Sequence, residues 1–276
     1  MSIVYAIIKN KKKNAEEGVS FQEGALNRYL KDLCRIEFVI TYACTGRCKH
    51  CSEGEHGSSG EHISSEVAAR AVYDIAENYS IGSLMTFGGE PLLYPDTVCA
   101  IHSAARDAGI KKRQIITNGF FSSDKRSIRS VAQRLFECGV NDVLLSVDAF
   151  HQESIPIETV KLFAEEVKRT GVCIRTQPAW LVSVDDTNPY NTQTREILRQ
   201  FSDMGIEENE GNIIFPSGNA LIYLKDYFDK YGAAEDPYKE DPNKLRTVSF
   251  EPDGYVLGGN VYREGILSIL EKYQPK

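Results

Sequence analysis

The feature that most limits what this chain of 276 residues can become is an alternation. Short β-rich runs recur at Ile36–Thr41, Ser83–Phe87, Gln114–Thr117, Asp142–Val147, Val172–Val184 and Asn212–Phe215. Helix-like stretches lie between them at Ser65–Tyr79, Pro95–Ala108, Asp124–Cys138, Glu153–Thr170 and Asn191–Met204. Ser64 or Ser65 is an N-cap for the first of these helices. Gly109, Gly139, Gly171 and Gly205 follow the other four, where a left-handed residue closes a helix. Alternating βα units imply a parallel sheet covered by helices. Six units are too few for a closed eight-stranded barrel, which leaves a partial barrel or an open doubly wound sheet.

Outside this series the pattern weakens. Asp226–Asn243 reads as an irregular connection, Thr247–Phe250 and Tyr255–Leu257 as a β-hairpin about the turn Glu251–Gly254, and Glu264–Tyr273 as a short amphipathic helix. The division expected is an N-terminal extension over 1–35, which adds a strand and a helix, a core over 36–216 and a small C-terminal appendage over 217–276.

Composition excludes several partners. The apolar stretches fall far short of the roughly 20 residues that cross a bilayer, so no membrane span is expected. The basic cluster Lys11, Lys12 and Lys13 follows the first apolar run, the reverse of a signal peptide, and reads as a solvated turn. A cytoplasmic protein is expected. A formal charge of −7 argues against a nucleic-acid duplex as partner.

Three of the seven cysteines crowd into one segment, Cys44-Thr-Gly-Arg-Cys48-Lys-His-Cys51, directly after the first strand. Their spacings of four and three would suit one buried face of a helix, but Gly46, Gly54, Gly57 and Gly60 describe an exposed loop. Clustered thiols in a reducing compartment favour a metal or redox-cofactor site over disulfides. Zinc would need a fourth ligand, which His50, His56 or His62 offers. An iron–sulfur cluster normally takes four thiolates, and with three local ones a single iron would be open to a ligand that is not protein. Cys34, Cys99, Cys138 and Cys173 read as small buried hydrophobes.

Cys-x-x-x-Cys-x-x-Cys after the first strand of a βα series resembles the signature of the radical S-adenosylmethionine (radical SAM) enzymes, over about residues 34–216. The resemblance implies a partial (β/α)6 barrel. It also implies that Cys44, Cys48 and Cys51 hold a [4Fe–4S] cluster whose fourth iron chelates S-adenosylmethionine. Gly88-Gly89-Glu90-Pro91 resembles the glycine-rich motif that receives the methionine amino group; two glycines admit a close backbone approach and Pro91 holds Glu90 extended. Asn118 of Thr117-Asn-Gly119 is implied as a donor to the methionine carboxylate, against the alternative of an ordinary Asn-Gly turn. Ser146 or Asp148 is implied for the ribose hydroxyls, with Asp148 alternatively catalytic toward substrate. Arg175 offers a fork that suits a carboxylate, or an ion pair across the barrel rim. His50 stands where the family often has an aromatic residue that meets the adenine through its backbone. His151 and Trp180 line the substrate cavity or simply pack.

Independently of any resemblance, Cys44, Gly88, Asn118, Asp148 and Arg175 all fall at or near the C-terminal ends of predicted strands. Those ends share one face in parallel βα architectures, and ligands bind there. Residues 252–264 vaguely resemble the end segment (SPASM or twitch type) of relatives with auxiliary clusters, but no cysteine follows Cys173. The implied reaction is reductive cleavage of S-adenosylmethionine to a 5′-deoxyadenosyl radical that abstracts hydrogen from a substrate. The electron would come from a reducing protein such as flavodoxin or ferredoxin. The substrate expected is a peptide or protein side chain; a small metabolite or nucleotide is the alternative, and a non-enzymatic zinc or iron–sulfur binding module the second.

Overall fold

The computed structural model describes residues 27–57 and 60–275. The Lys11–Lys13 run and most of the expected N-terminal extension lie outside the described residues. The chain proceeds through β1 (Arg35–Val39), α1 (Ser65–Asn78), β2 (Ser83–Phe87), α2 (Pro95–Asp107), β3 (Lys112–Thr117), α3 (Lys125–Cys138) and β4 (Asp142–Leu145). It continues through α4 (Ala149–Gln152), α5 (Ile157–Thr170), β5 (Cys173–Thr176), β6 (Ala179–Trp180), α6 (Pro189–Asp203), β7 (Glu207–Glu208) and β8 (Asn212–Ile213). The last elements are α7 (Ala220–Tyr223), α8 (Lys225–Tyr231), β9 (Thr247–Phe250), β10 (Tyr255–Val256), β11 (Gly259–Asn260) and α9 (Ile266–Lys272).

Seven strands form one sheet in the order β7-β5-β4-β3-β2-β1-β9, every neighbouring pair parallel, and the sheet does not close. The local signals behave as their chemistry demands. The Ser64 hydroxyl accepts from Val67 N–H at the start of α1. Gly109, Gly139, Gly171 and Gly205 all have positive φ just past their helices. Strand alternation sorts the side chains: Ile36, Phe38, Leu84, Ile115, Val143, Leu145 and Ile174 enter the core beneath the helices. Arg35, Glu37, Met85, Gln114, Asp142 and Arg175 therefore occupy the opposite face.

The structure corrects four expected elements. The long strand Val172–Val184 is two, β5 and β6, broken before Pro178, whose missing N–H cannot continue a ladder. The sixth strand beside β5 is the acidic pair Glu207–Glu208, while Asn212–Ile213 pairs with β6 in a separate small sheet. Within the supposed irregular stretch, Lys225–Tyr231 is helical, supported by a Lys225–Asp229 pair one turn apart. Finally, Thr247–Phe250 is not a hairpin arm. It is the edge strand of the main sheet, parallel to β1, and the hairpin is β10 with β11.

Candidate active site at the C-terminal ends of the strands

The segment after β1 is tied down on three sides. Gly89 N–H donates to Thr41 O at 2.7 Å and Glu90 N–H to Ala43 O at 2.8 Å. A Cβ on Gly88 would lie 2.5 Å from Thr41 O, and one on Gly89 would lie 2.1 Å from Ala43 O. The two glycines are thus required by contact between two backbones, a reason separate from ligand approach. Near α4, Arg47 N–H donates to Ser154 Oγ at 2.9 Å and Lys49 pairs with Glu153 at 2.9 Å.

The third brace was not foreseen. Asn219 N–H donates to Cys51 O at 2.8 Å, Asn219 Nδ2 to Cys48 O at 3.0 Å, and Ser217 Oγ to Ser52 O at 2.9 Å. Between them Gly218 has φ +47°, and a Cβ there would lie 2.4 Å from Ser52 O and 2.5 Å from Cys51 O. The run Pro216-Ser-Gly218-Asn219 carried a turn signal in the sequence, but nothing local named its partner.

Within this frame the sulfurs of Cys44 and Cys48 face one point. The sulfurs of Cys44 and Cys48 lie 3.7 and 3.3 Å from the point where a Cβ on Gly46 would stand. Negative charge on Cys51 would raise the Cys44 and Cys48 thiols, and charge on Cys44 would raise Cys48. Burial pushes the Cys44 thiol up to about 11, and it raises Cys48 and Cys51 as well. Without a cation the three are neutral thiols, and a cation that replaces their protons relieves the desolvation. Asn118 Nδ2 lies 3.6 Å from Cys44 Sγ and 3.1 Å from Thr45 Oγ1. Convergent, partly shielded thiols with an amide donor beside them fit an iron–sulfur cluster.

Glu90 is 0% exposed and accepts from Leu92 N–H at 2.9 Å, Thr117 Oγ1 at 2.7 Å and Asn118 N–H at 2.8 Å. Burial raises its carboxyl to about 7 in spite of these donors. Asp148 is also fully buried, yet it is held well below the usual carboxylate range. Burial pushes it up; the His151 imidazole and a set of N–H donors more than offset that. It accepts from Phe150 N–H and His151 N–H at 2.9 Å, Ala179 N–H at 3.0 Å and His151 Nδ1 at 2.8 Å. His50 packs against Phe150 and His151 with ring centres 5.0 and 4.8 Å away, and burial lowers its imidazole to about 4. Its Nδ1 is buried without a partner.

Cys44, Cys48, Cys51, His50, Glu90 and Asn118 are therefore brought together, with Asp148 joined to them through His151. Gly88 and Gly89 stand behind the loop, and buried Ser146 closes β4 with its N–H on Thr117 O at 2.8 Å. Arg175 is elsewhere. Its fork pairs with Asp142 at 2.8 and 3.3 Å and its Nη1 donates to Asn209 at 3.1 Å. Trp180 is packed, with Nε1 on Glu210 O at 2.9 Å. Of the other histidines, His56 Nε2 lies 3.0 Å from Cys51 Sγ, whereas His62 Nδ1 turns to Ile63 O.

A parallel βα sheet that gathers thiols, a buried carboxylate and an amide at its strand ends has the parts that a cysteine-held cofactor needs. Residues 38–172 match the model of the Radical SAM superfamily, so this stretch is a radical SAM domain, the domain of enzymes whose cofactors are a [4Fe–4S] cluster and S-adenosylmethionine. Among relatives, a probable GTP 3′,8-cyclase from Saccharolobus islandicus (strain L.S.2.15 / Lassen #1) is 26% identical over 248 residues, 87% of this chain and 76% of that protein. The GTP 3′,8-cyclase of Tolumonas auensis is 28% identical over 126 residues, 45% of this chain but only 35% of that protein. The solved structure "Native anSMEcpe with bound AdoMet" shares the fold at TM-score 0.55 and 16% identity, covering 88% of this chain and 82% of that one. Among the described residues, no helix is long and apolar enough to cross a membrane.

Proposed function

We propose that this radical SAM enzyme acts on a small metabolite or nucleotide rather than on a peptide side chain. The observation that carries this reading is the alignment with probable GTP 3′,8-cyclases over 87% of the chain. The face of the sheet turned from the helices is consistent with it. Gln114 donates to Asp142 at 2.7 Å beside the Arg175 fork, and Arg35 reaches Glu37 at 2.5 Å and Met85 at 3.1 Å. Amides and charges of both signs suit a compact polar ligand better than an extended chain.

In this reading Cys44, Cys48 and Cys51 hold the cluster, which when bound supplies the electron that opens the sulfonium. The protein's part is positioning and exclusion of water. Glu90, Asn118 and the turn at Gly88–Gly89 orient the methionine end. Ser146 lies on the side of the nucleoside, and Asp148 acts through the imidazole it holds. Arg175, held by Asp142 and Asn209, takes no part in orienting the cofactor in this reading. A reducing protein such as flavodoxin or ferredoxin provides the electron.

The test is anaerobic turnover with dithionite, S-adenosylmethionine and a panel of GTP, other nucleotides, small metabolites and a cysteine-containing peptide. Release of 5′-deoxyadenosine should rise at least tenfold with one of the small compounds. Stimulation by the peptide alone would reverse the substrate reading. No 5′-deoxyadenosine from cluster-loaded protein would overturn the chemistry.

A further inference from the structure

Cys48, His50 and His151 each bring one ligand atom to within 4.8 Å of the others. The two histidines come from different places, His50 from the cysteine loop and His151 from α4, and their rings meet edge to face at 72°. Three further observations mark the trio as more than packing. His50 Nδ1 is buried and has no hydrogen-bond partner. His151 is pinned by Asp148, which takes Nδ1 at 2.8 Å and leaves Nε2 free. Asp148 is itself fixed by N–H donors from Phe150, His151 and Ala179. A carboxylate behind an imidazole is the outer sphere that protein zinc sites use to set ring orientation and raise ligand basicity. One thiol and two imidazoles suit a borderline-soft divalent ion, with water in the fourth position.

We propose that, in the cluster-free chain, Cys48, His50 and His151 form a binding site for one zinc ion, distinct in ligand set from the three-cysteine cluster site. Binding replaces the Cys48 thiol proton, which leaves to solvent, and involves no redox change. Around tetrahedral zinc, with bonds of about 2.0–2.3 Å, neighbouring ligand atoms stand about 3.5 Å apart. Rotation of the side chains by about an ångström closes the trio. Because Cys48 belongs to both sets, zinc and the cluster exclude each other, and zinc bound here holds the enzyme in an unloaded form. The ligand set stands on its own geometry, but this consequence rests on Cys48 as a cluster ligand.

The test uses the full-length chain stripped of iron under anaerobic conditions. Zinc K-edge absorption of the wild-type protein with one equivalent of zinc should show one sulfur at about 2.3 Å and the remaining shell of nitrogen and oxygen at about 2.0–2.1 Å. Three sulfurs per zinc would overturn the proposal. Cobalt titration then separates the ligand sets, using the thiolate-to-cobalt band as readout. His151→Phe and His50→Phe should each weaken binding at least tenfold, and Asp148→Asn about tenfold, while Cys51→Ser leaves it unchanged. Loss of binding in Cys51→Ser with retention in His151→Phe would also overturn it, as would failure of the wild-type chain to bind cobalt or zinc. None of these readouts requires turnover, so failure here is distinguishable from failure of the small-substrate reading.

Discussion

A carboxylate without water needs a donor for each lone pair it exposes to the protein, and Asp148 has them: three backbone N–H groups and one imidazole N–H. Asp148→Asn keeps an acceptor for the Phe150 and His151 N–H groups but sets its NH2 against Ala179 N–H and His151. The loss expected is about 2–3 kcal/mol, read as a lower urea midpoint with an unchanged slope. Glu90 works in the opposite sense. Its carboxyl is raised from 4.5 to about 7, so it favours the folded state at low pH, and that contribution disappears as pH climbs from about 4.5 through 7. Between pH 5 and 8 the Glu90 contribution alone falls by on the order of 3 kcal/mol, while buried His50 and His102, whose imidazoles are lowered, gain stability over the same range. The Glu90 loss is therefore read as the difference between wild type and Glu90→Gln in the unloaded protein. A profile unchanged by the substitution would remove Glu90 as the cause. Such environments were only half legible in sequence. Motif and strand-end position singled out Glu90 and Asp148, but for Arg175 a carboxylate ligand and an ion pair both stayed open, because its partner depends on register. Asp142 lies opposite Cys173, which sets Arg175 two positions on along the same face, within reach of that carboxylate.

At the level of elements, the cysteine loop is held by its neighbours more than by itself, and glycine is what lets them approach. Gly218 and Gly171 make a controlled comparison. Both have positive φ, but a Cβ on Gly171 meets nothing within 4 Å, whereas one on Gly218 runs into three backbone atoms at 2.4–2.5 Å. Gly171→Ala should cost about 1–2 kcal/mol of global stability and leave iron content near wild type. Gly218→Ala should displace residues 217–219 from Cys51 and Ser52 and lower iron and sulfide per chain severalfold under the same anaerobic reconstitution. Equal iron loading in the two variants would mean that the brace does not position the loop. The helix-closing role of Gly171 was readable because it is local, one residue past an amphipathic segment. That of Gly218 was not, because the atoms it must avoid belong to a loop more than 160 positions earlier.

For the molecule as a whole, the telling difference from expectation is where the C-terminal part belongs. Four residues, Thr-Val-Ser-Phe, announce a strand, but their pattern carries no address, and a hairpin with the following turn was the nearest partner available. In the structure they extend the main sheet beside β1, with Phe250 stacked on Phe38 at 4.5 Å between ring centres. Nearby, α9 packs on α1 and Asn27 Nδ2 donates to Leu270 O at 2.9 Å and Tyr273 O at 2.8 Å, so both ends of the described chain close over the same edge. The strand that carries the cysteine loop is thereby paired on both sides instead of being an open edge. Phe250 and Phe38 are both fully buried in the core that runs beneath the helices. Phe250→Ala should accordingly cost about 3–5 kcal/mol and lower the whole unfolding transition. Tryptophan fluorescence, which reports Trp180 on the far side of the sheet, and far-ultraviolet circular dichroism should shift to the same new midpoint. If the C-terminal part were instead an independent unit docked on the sheet, the Trp180 signal would keep its wild-type midpoint while part of the dichroism melted early, and the single-sheet account of the molecule would fail.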